Sequence, residues 1–509
     1  MNEEDRQSPS RLSKDIQTWH EESISPQDLT HEERLIEKRL VRRIDFNILP
    51  LVILVYLMNY IDRNNYASAR LQGLETDLGL RGDQYEIGLS VMYISYILAQ
   101  VPSNLLLNYF GRPSLYLGFF VLSWGLVATL TSQCTNFGGI VACRFMLGLV
   151  EAPFMAGVLF YLSKWYKKDE LNLRMAIFYS GSLISGAFGN LIAAGILNGL
   201  SGRRGLAAWQ WLYVIEGSIT MFFGIIVLFF LPDFPQTWRL LTEEEKSVAN
   251  RRMALDAADV DVDEGNAMSQ LNGLKLAVTD IKTWILAFTY MAITGAAGFQ
   301  NFFPTLTATL GYSHIISLLL VAPPYIFMTF WSYVHGALSD RLEKRFWFFM
   351  YPIPLTIAGF IIFMTVDGFG PKYFSFFLVI FVFAMNSTLF TWIATSIPRP
   401  PAKRAAAIAI INGLGNSASI WTPFTYSSSE APYYRTAFGI SAGLQIIAAG
   451  LALWLRFLLV RENKLLARFE DENAVLPETE MDKLRWLAIV EGVDIDTARQ
   501  LRRGFRYVI

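Results

Sequence analysis

Polar and apolar residues fall along this chain in long blocks rather than in short alternation. After 43 residues rich in charge, apolar runs recur at 44–61, 85–106, 114–130, 137–161, 175–197 and 211–231. They return at 281–303, 313–338, 346–366, 372–397, 404–426 and 435–460. Each approaches the length of about 20 residues that carries an α-helix across the hydrocarbon core of a bilayer. The pattern therefore predicts an all-α membrane protein with twelve transmembrane helices. Residues 232–280 interrupt it with PDFPQTW, TEEEKSVANRRM and DAADVDVDEGN, the composition of a solvated linker. The predicted organisation is a disordered tail (1–43), a six-helix bundle (44–231), a linker (232–280), a second six-helix bundle (281–460) and a short charged tail (461–509).

Composition and charge narrow the class and set an orientation. With 53% hydrophobic and 14% aromatic residues and a net charge of −1, the chain lacks the charge of a soluble protein and the basic surplus of a nucleic-acid binder. The hydrophilic first 43 residues do not read as a cleavable signal peptide. Both cysteines, Cys134 and Cys143, fall in apolar segments, so no disulfide or zinc framework is expected. Basic residues of the short loops gather on one side: the RLIEKRLVRR entry, Arg112, Lys164, Lys167, Lys168, Arg341, Lys344, Arg345, Arg399, Lys403 and Arg404. The opposite side holds fewer, namely Arg70, Arg81, Arg203, Arg204, Lys372 and Arg435. The positive-inside rule then places both termini and the linker in the cytoplasm.

The two halves echo each other. NLLLNYFGRPSLY follows the second run and GALSDRLEKRFWFF the eighth, so that Asn108 corresponds to Asp340. Small residues recur every four positions in the fifth run (Gly181, Ser185, Gly189, Ala193) and in the eleventh (Ala405, Ala409, Gly413, Ser417). Such rows let helices approach closely, and duplicated halves are a common plan for transporters.

The candidate chemistry lies in charges inside apolar runs. No GxxxxGK[ST], HExxH, CxxC or GxSxG pattern is present, so neither a cofactor, a metal nor an enzymatic constellation is expected. His314 and His335 are isolated and read as loop or core residues. An intramembrane charge costs about 2.5–3.5 kcal/mol on insertion scales, so it faces a cavity or a partner. Arg144 and Glu151, in RFMLGLVEAP, are two turns apart on one helix face, about 10 Å from each other. Asp62 and Arg63, in YLMNYIDRNNYASARL, close the first run; an interfacial helix end explains them as well as a buried site does. For Arg144 the plain alternative is a salt bridge between helices. A buried carboxylate can bind and release a proton, and an arginine can grip a substrate carboxylate with two parallel bonds. The pair on one face thus allows a proton and an organic anion to be exchanged at one place.

Several stretches resemble the major facilitator superfamily, and within it the fungal anion:cation symporters of the allantoate, nicotinate and pantothenate permease type. They are IDRNNYASARL, AQVPSNLLLNYFGRPS, CRFMLGLVEAPFMAGVLFYLSKWYKKDELNLRMAIF, NFFPTLTATLGYS, VAPPYIF, GALSDR, AKRAAAIAIINGLGN and a closing GFRYV, in this order. The resemblance implies the major facilitator fold, with two six-helix bundles, inverted repeats, and spans one, four, seven and ten around a central cavity. It implies substrate-binding roles for Arg63 and Arg144 and proton-coupling roles for Asp62 and Glu151. Asp340 and Arg341 match a loop motif that holds gate helices together, although Asn108 replaces the usual aspartate in the first half. Glu170 and Arg174 match a cytoplasmic charge network with a gating role. Gln300 and Asn301 of the seventh span, and Asn386, Thr388 and Trp392 of the tenth, are placed to read the rest of the substrate; helix–helix hydrogen bonding is the alternative for them.

The expectation is a secondary active transporter in the plasma membrane that moves a small organic anion with a proton. Its partners would be the anion, the proton and the lipid bilayer, with no nucleic acid, and it would be a monomer. A metabolite exporter on the same fold is the nearest alternative. A non-transporting nutrient sensor is a more distant one, because the tail at 461–509 is short. A membrane-embedded enzyme would need paired carboxylates or clustered histidines that are not found.

Overall fold

A backbone inside a bilayer has no water to bond, and an α-helix meets the need within its own segment. In the computed structural model, residues 31–470 are described apart from 111, 164, 236, 237, 239, 262–269, 343 and 398–400, together with positions 478, 481, 485, 506 and 507. Among the described residues no strand forms, and all twelve predicted apolar runs lie in helical segments.

The first half contains α1 (His31–Asn47), α2 (Leu49–Leu71), α3 (Gln84–Phe110), α4 (Pro113–Thr131), α5 (Phe137–Ser163), α6 (Lys168–Leu200) and α7 (Ala208–Phe230). The linker holds α8 (Glu243–Asp261) and α9 (Gln270–Thr279). The second half begins with α10 (Ile281–Ala296), which passes through a 3-10 turn (Ala297–Phe302) into α11 (Phe303–Ala308). It continues with α12 (His314–Leu342), α13 (Arg345–Met350), α14 (Pro352–Thr365), α15 (Phe369–Val379), α16 (Val382–Ser396), α17 (Pro401–Trp421) and α18 (Arg435–Glu470). Nine helices among the described residues are long and apolar enough to cross a membrane, or ten if α9 and α10–α11, bent by 71° at their junction, count as one span.

Within the first half α4 packs on α7, α3 on α5, and α2 on α6; within the second, α10 packs on α17 and α18. The halves meet where α6 lies on α12 and α3 on α17. Glycine lets helices of the first half touch, as at Gly148 of α5, where a Cβ would run into the Met92 backbone oxygen of α3. Gly118 and Gly125 on α4 oppose Gly217 and Gly224 on α7, each pair spaced by two turns. A Cβ at Gly125 would sit 2.8 Å from the Met221 backbone nitrogen, and one at Gly224 2.8 Å from that of Leu122, so the two backbones touch. The predicted small row on α6 does face a neighbour, with Gly181 against Tyr56 and Gly189 against Ile61 of α2. On α17 the tight position is Gly415, pressed on Tyr290 of α10, whereas Gly413 borders open space.

Three predicted boundaries change. Residues 31–43, expected in a disordered tail, form α1, which buries Leu40 and Ile44 in the core and pairs its acids with bases on the linker helix: Glu33 with Arg251 at 2.7 Å and Glu37 with Arg252 at 3.7 Å. The rest of that tail, residues 1–30, lies outside the described residues. The linker is likewise largely helical. Most of the tail at 461–509 lies outside the described residues, but Tyr507 returns to α18, where its backbone exchanges two hydrogen bonds with the Asn463 side chain at 2.8 and 2.9 Å. Most consequential for function, the first span does not end at the charged pair. α2 continues for about two turns beyond Arg63.

Because the α4–α7 contact is backbone on backbone, Gly125→Leu should overpack it by about 1–3 kcal/mol and lower the melting temperature in detergent. Gly450→Leu, where a Cβ meets nothing within 4 Å, should leave the melt unchanged. Equal melts for the two variants would refute the close approach.

Candidate functional site

Since α2 passes through the charged pair, Asp62 and Arg63 stand in mid-helix, and the interfacial-end reading falls. Side chains of α2 reach across to the predicted face of α5, so each charge on that face meets its own rung of α2. At one rung, Arg63 Nε forms a short ion pair with Glu151 Oε1. Asn59 Nδ2, one turn away on α2, donates to the same oxygen at 2.8 Å. Glu151 is 1% exposed, and its Oε2 accepts no hydrogen bond among the described residues. The Arg63 guanidinium also lies over the rings of Tyr96 at 4.5 Å and Tyr60 at 5.5 Å, and it keeps some exposure.

Two turns along α5, Arg144 is treated differently. It is 1% exposed, yet no described acid lies within ion-pair distance. Its guanidinium stacks on Tyr66 of α2 at 3.8 Å and donates to the Tyr213 hydroxyl of α7 at 3.1 Å, with Met92 Sδ of α3 at 3.5 Å. Nε has no partner among the described residues. The geometry thus corrects the expected Arg144–Glu151 exchange: the acid belongs to Arg63, and Arg144 is held by a ring face and a hydroxyl. The ring contributes attraction without a counter-charge, about 2 kcal/mol or more when desolvated.

Asp62 forms no ion pair with either arginine among the described residues. Its Oδ2 accepts hydrogen bonds from Trp124 Nε1 of α4 and Thr220 Oγ1 of α7, each at 3.0 Å, while Oδ1 is unsatisfied. Trp124, Tyr213, Thr220 and Asn59 were not anticipated from the sequence, because neutral partners carry no local signal. Glu216 on α7 was missed too, although a lone acid in VIEGSIT shows the signal that exposed Glu151.

The second half contributes less. Gln300 and Asn301 sit in the 3-10 turn that breaks the seventh span, and Asn301 lies within hydrogen-bonding reach of the Tyr93 hydroxyl of α3. Asn386 on α16 has an unsatisfied Oδ1. Trp392 is fully buried against Phe346 and Phe349, which fits packing better than substrate contact. Thr388 bonds His335 at 2.7 Å, and His335 bonds Tyr351 at 2.8 Å, so this histidine has the expected core role.

At the end of the first half where α1 docks, the charges form a network. Arg174 grips Asp45 of α1 with two bonds of 3.0 and 2.8 Å, and Tyr166 donates to the same carboxylate at 2.8 Å. Glu170 pairs with the buried Arg252 of α8 at 3.2 Å. Arg341 is exposed at the end of α12; the Asp340 side chain lies outside the described residues.

A bundle of apolar helices with fixed and titratable charges buried at its centre is the construction of a polytopic membrane transporter. The sequence profile of the Major Facilitator Superfamily matches residues 52–423. The chain belongs to that superfamily. It is 36% identical over 443 residues to the MFS-type transporter cnsO of Penicillium expansum, covering 84% of each chain. It is 30% identical to the major facilitator-type transporter hxnP of Emericella nidulans, covering 84% of this chain and 88% of that one. The fold matches a bacterial homologue of the human lysosomal transporter Spinster in an inward-facing conformation, with TM-score 0.63, 13% identity, and coverage of 81% and 97%. It also matches a D-xylose-proton symporter, with TM-score 0.59, 15% identity, and coverage of 81% and 97%.

If Arg63 and Glu151 neutralise each other, Arg63→Ala should leave a bare buried charge and cost about 3–5 kcal/mol, with most of it restored in Arg63→Ala/Glu151→Ala. A double-mutant cycle of thermal melts measures this; additive losses would show the two to be uncoupled.

Proposed function

We propose that this transporter takes up a small organic anion together with a proton by alternating access. The observation that carries the reading is Arg144, a buried guanidinium with no acid within ion-pair distance among the described residues. Arginine keeps its charge at any physiological pH, so this one is best balanced by an anion brought from outside the protein.

In the proposed cycle, protonation of Glu151 releases Arg63, and two guanidinium groups then face the carboxylate of the incoming anion. After the halves rock, loss of the proton restores the Arg63–Glu151 pair and expels the anion. Asp62, held on Trp124 and Thr220, is the second acid of the coupling path. Gln300, Asn301 and Asn386 read the remainder of the substrate. The network of Glu170 and Arg174, with Asp340 and Arg341 in the second half, serves the cytoplasmic gate. In this reading the protein is a monomeric symporter of the anion:cation type in the plasma membrane, with both termini in the cytoplasm.

Purified protein in liposomes, offered nicotinate, pantothenate, allantoate and biotin with and without an imposed pH gradient, tests the reading. Gradient-driven accumulation of at least one acid is expected. Glu151→Gln should abolish the response to the gradient while keeping counterflow; an intact gradient response would remove Glu151 from coupling. Arg144→Lys should weaken carboxylate affinity by about tenfold or more, because a point charge cannot replace the planar fork. Unchanged affinity would return Arg144 to a structural role.

A further inference from the structure

One buried acid has no place in that cycle. Glu216 stands in the middle of α7, 1% exposed, and neither of its carboxyl oxygens accepts a hydrogen bond among the described residues. Burying an ionised carboxylate without a donor or a cation is very costly, and burying the neutral acid far less so.

Its surroundings are ordered. α2 and α7 face each other through two polar rungs. In the first, Thr220 donates to Asp62 at 3.0 Å. In the second, one turn along each helix, Asn65 lies within hydrogen-bonding reach of Glu216, yet its side-chain nitrogen and both Glu216 carboxyl oxygens make no well-formed bond. One rung is made and the next is open. A small sliding of α2 against α7 would close it, with Asn65 Nδ2 donating to the Glu216 carboxylate. Few charges reach this place. Asp62 faces it from α2, and Tyr213, one turn away on α7, connects it to Arg144. α4 presents Gly125 and Thr129 here, neither of which titrates. α6 carries no acid or base between residues 175 and 200 other than Tyr179.

We propose that Glu216 is a proton-binding residue of the transport cycle. It holds a proton while the Asn65 rung is open and releases it when that rung closes on the carboxylate. Asp62, with its free Oδ1, is the adjacent acceptor on the way out. The inference rests on the proton-coupled reading above and adds to it a site between α2 and α7.

The test uses the same liposomes and whichever of the four acids the wild type accumulates. Glu216→Gln, which mimics the protonated acid, should lower gradient-driven uptake about tenfold or more and keep counterflow. Infrared difference spectra of the wild type against this variant should lose a carboxylic-acid C=O band. If the wild type responds to the gradient and Glu216→Gln responds equally, this inference fails while the coupled reading stands. A wild type indifferent to the gradient overturns both. Should Glu216→Gln not survive purification, Asn65→Ala serves instead. Without the donor that favours release, it too should lose gradient-driven uptake, and unchanged uptake would overturn the proposal.

Discussion

No water reaches the lipid core, so every charge carried into it must be balanced by the protein or by what the protein binds. This chain meets the constraint with fixed cations and titratable anions. Arg63 and Arg144 cannot discharge, whereas Asp62, Glu151 and Glu216 can exchange charge for a proton. The asymmetry gives the site a direction of adjustment: whatever alters its balance must be a proton on an acid or an anion beside an arginine. α2 carries the constraint for the whole first half. Its residues from Asn59 to Tyr66 supply the cation for Glu151, the ring for Arg144, and the acid held by Trp124 and Thr220. Packing serves the same end, because the glycine contact of α4 with α7 brings Trp124 and Thr220 onto one oxygen.

Much of this was legible in the sequence, for a physical reason. Span boundaries follow from the length of apolar runs, and a charge in such a run stands out locally, which is how Asp62, Arg63, Arg144 and Glu151 were found. What stayed hidden depends on which helices are neighbours. The seven-residue spacing places Arg144 and Glu151 on one face, but nothing in it says that side chains of α2 reach that face with a cation opposite one and a ring opposite the other. The end of the first span was misjudged because NNYASARL is polar, and polarity there serves helix contacts rather than exit to water. α1 was taken as disordered because its apolar content is slight; its burial of Leu40 and Ile44 and its ion pairs with α8 both depend on residues more than a hundred positions away. Similarly, four-residue spacing found the right face of α6, whereas on α17 the contact depends on where Tyr290 happens to lie.

The two ends of the first half are closed by different physics. At one, Arg174, Asp45, Glu170 and Arg252 tie α1 and α8 to the α5–α6 junction by charge. Arg252 is 1% exposed and the other three are partly covered, so parting these pairs strands charge and costs more than it would on an open surface. At the other, aromatic rings cross from one half to the next. Tyr66 stacks on Tyr85 at 4.5 Å, Tyr85 meets Phe302 at 6.0 Å, and Phe302 stacks on Tyr426 at 4.6 Å. Arg70 caps this ladder over Tyr85 at 4.2 Å while paired with Glu75 at 2.9 Å.

Tyr66 belongs both to that ladder and to the site, because Arg144 rests on its ring. The guanidinium and the Tyr85 ring therefore share one aromatic partner, and a change in either contact is felt by the other. In the proposed cycle, an anion drawing Arg144 off the ring would weaken a contact of about 2 kcal/mol at the first rung of the closure between the halves. A ligand shifts a two-state equilibrium only by its differential interaction with the two states. Under the proposed cycle a single tyrosine would supply that difference, since Tyr66 holds both the Arg144 guanidinium and the first ring of the ladder.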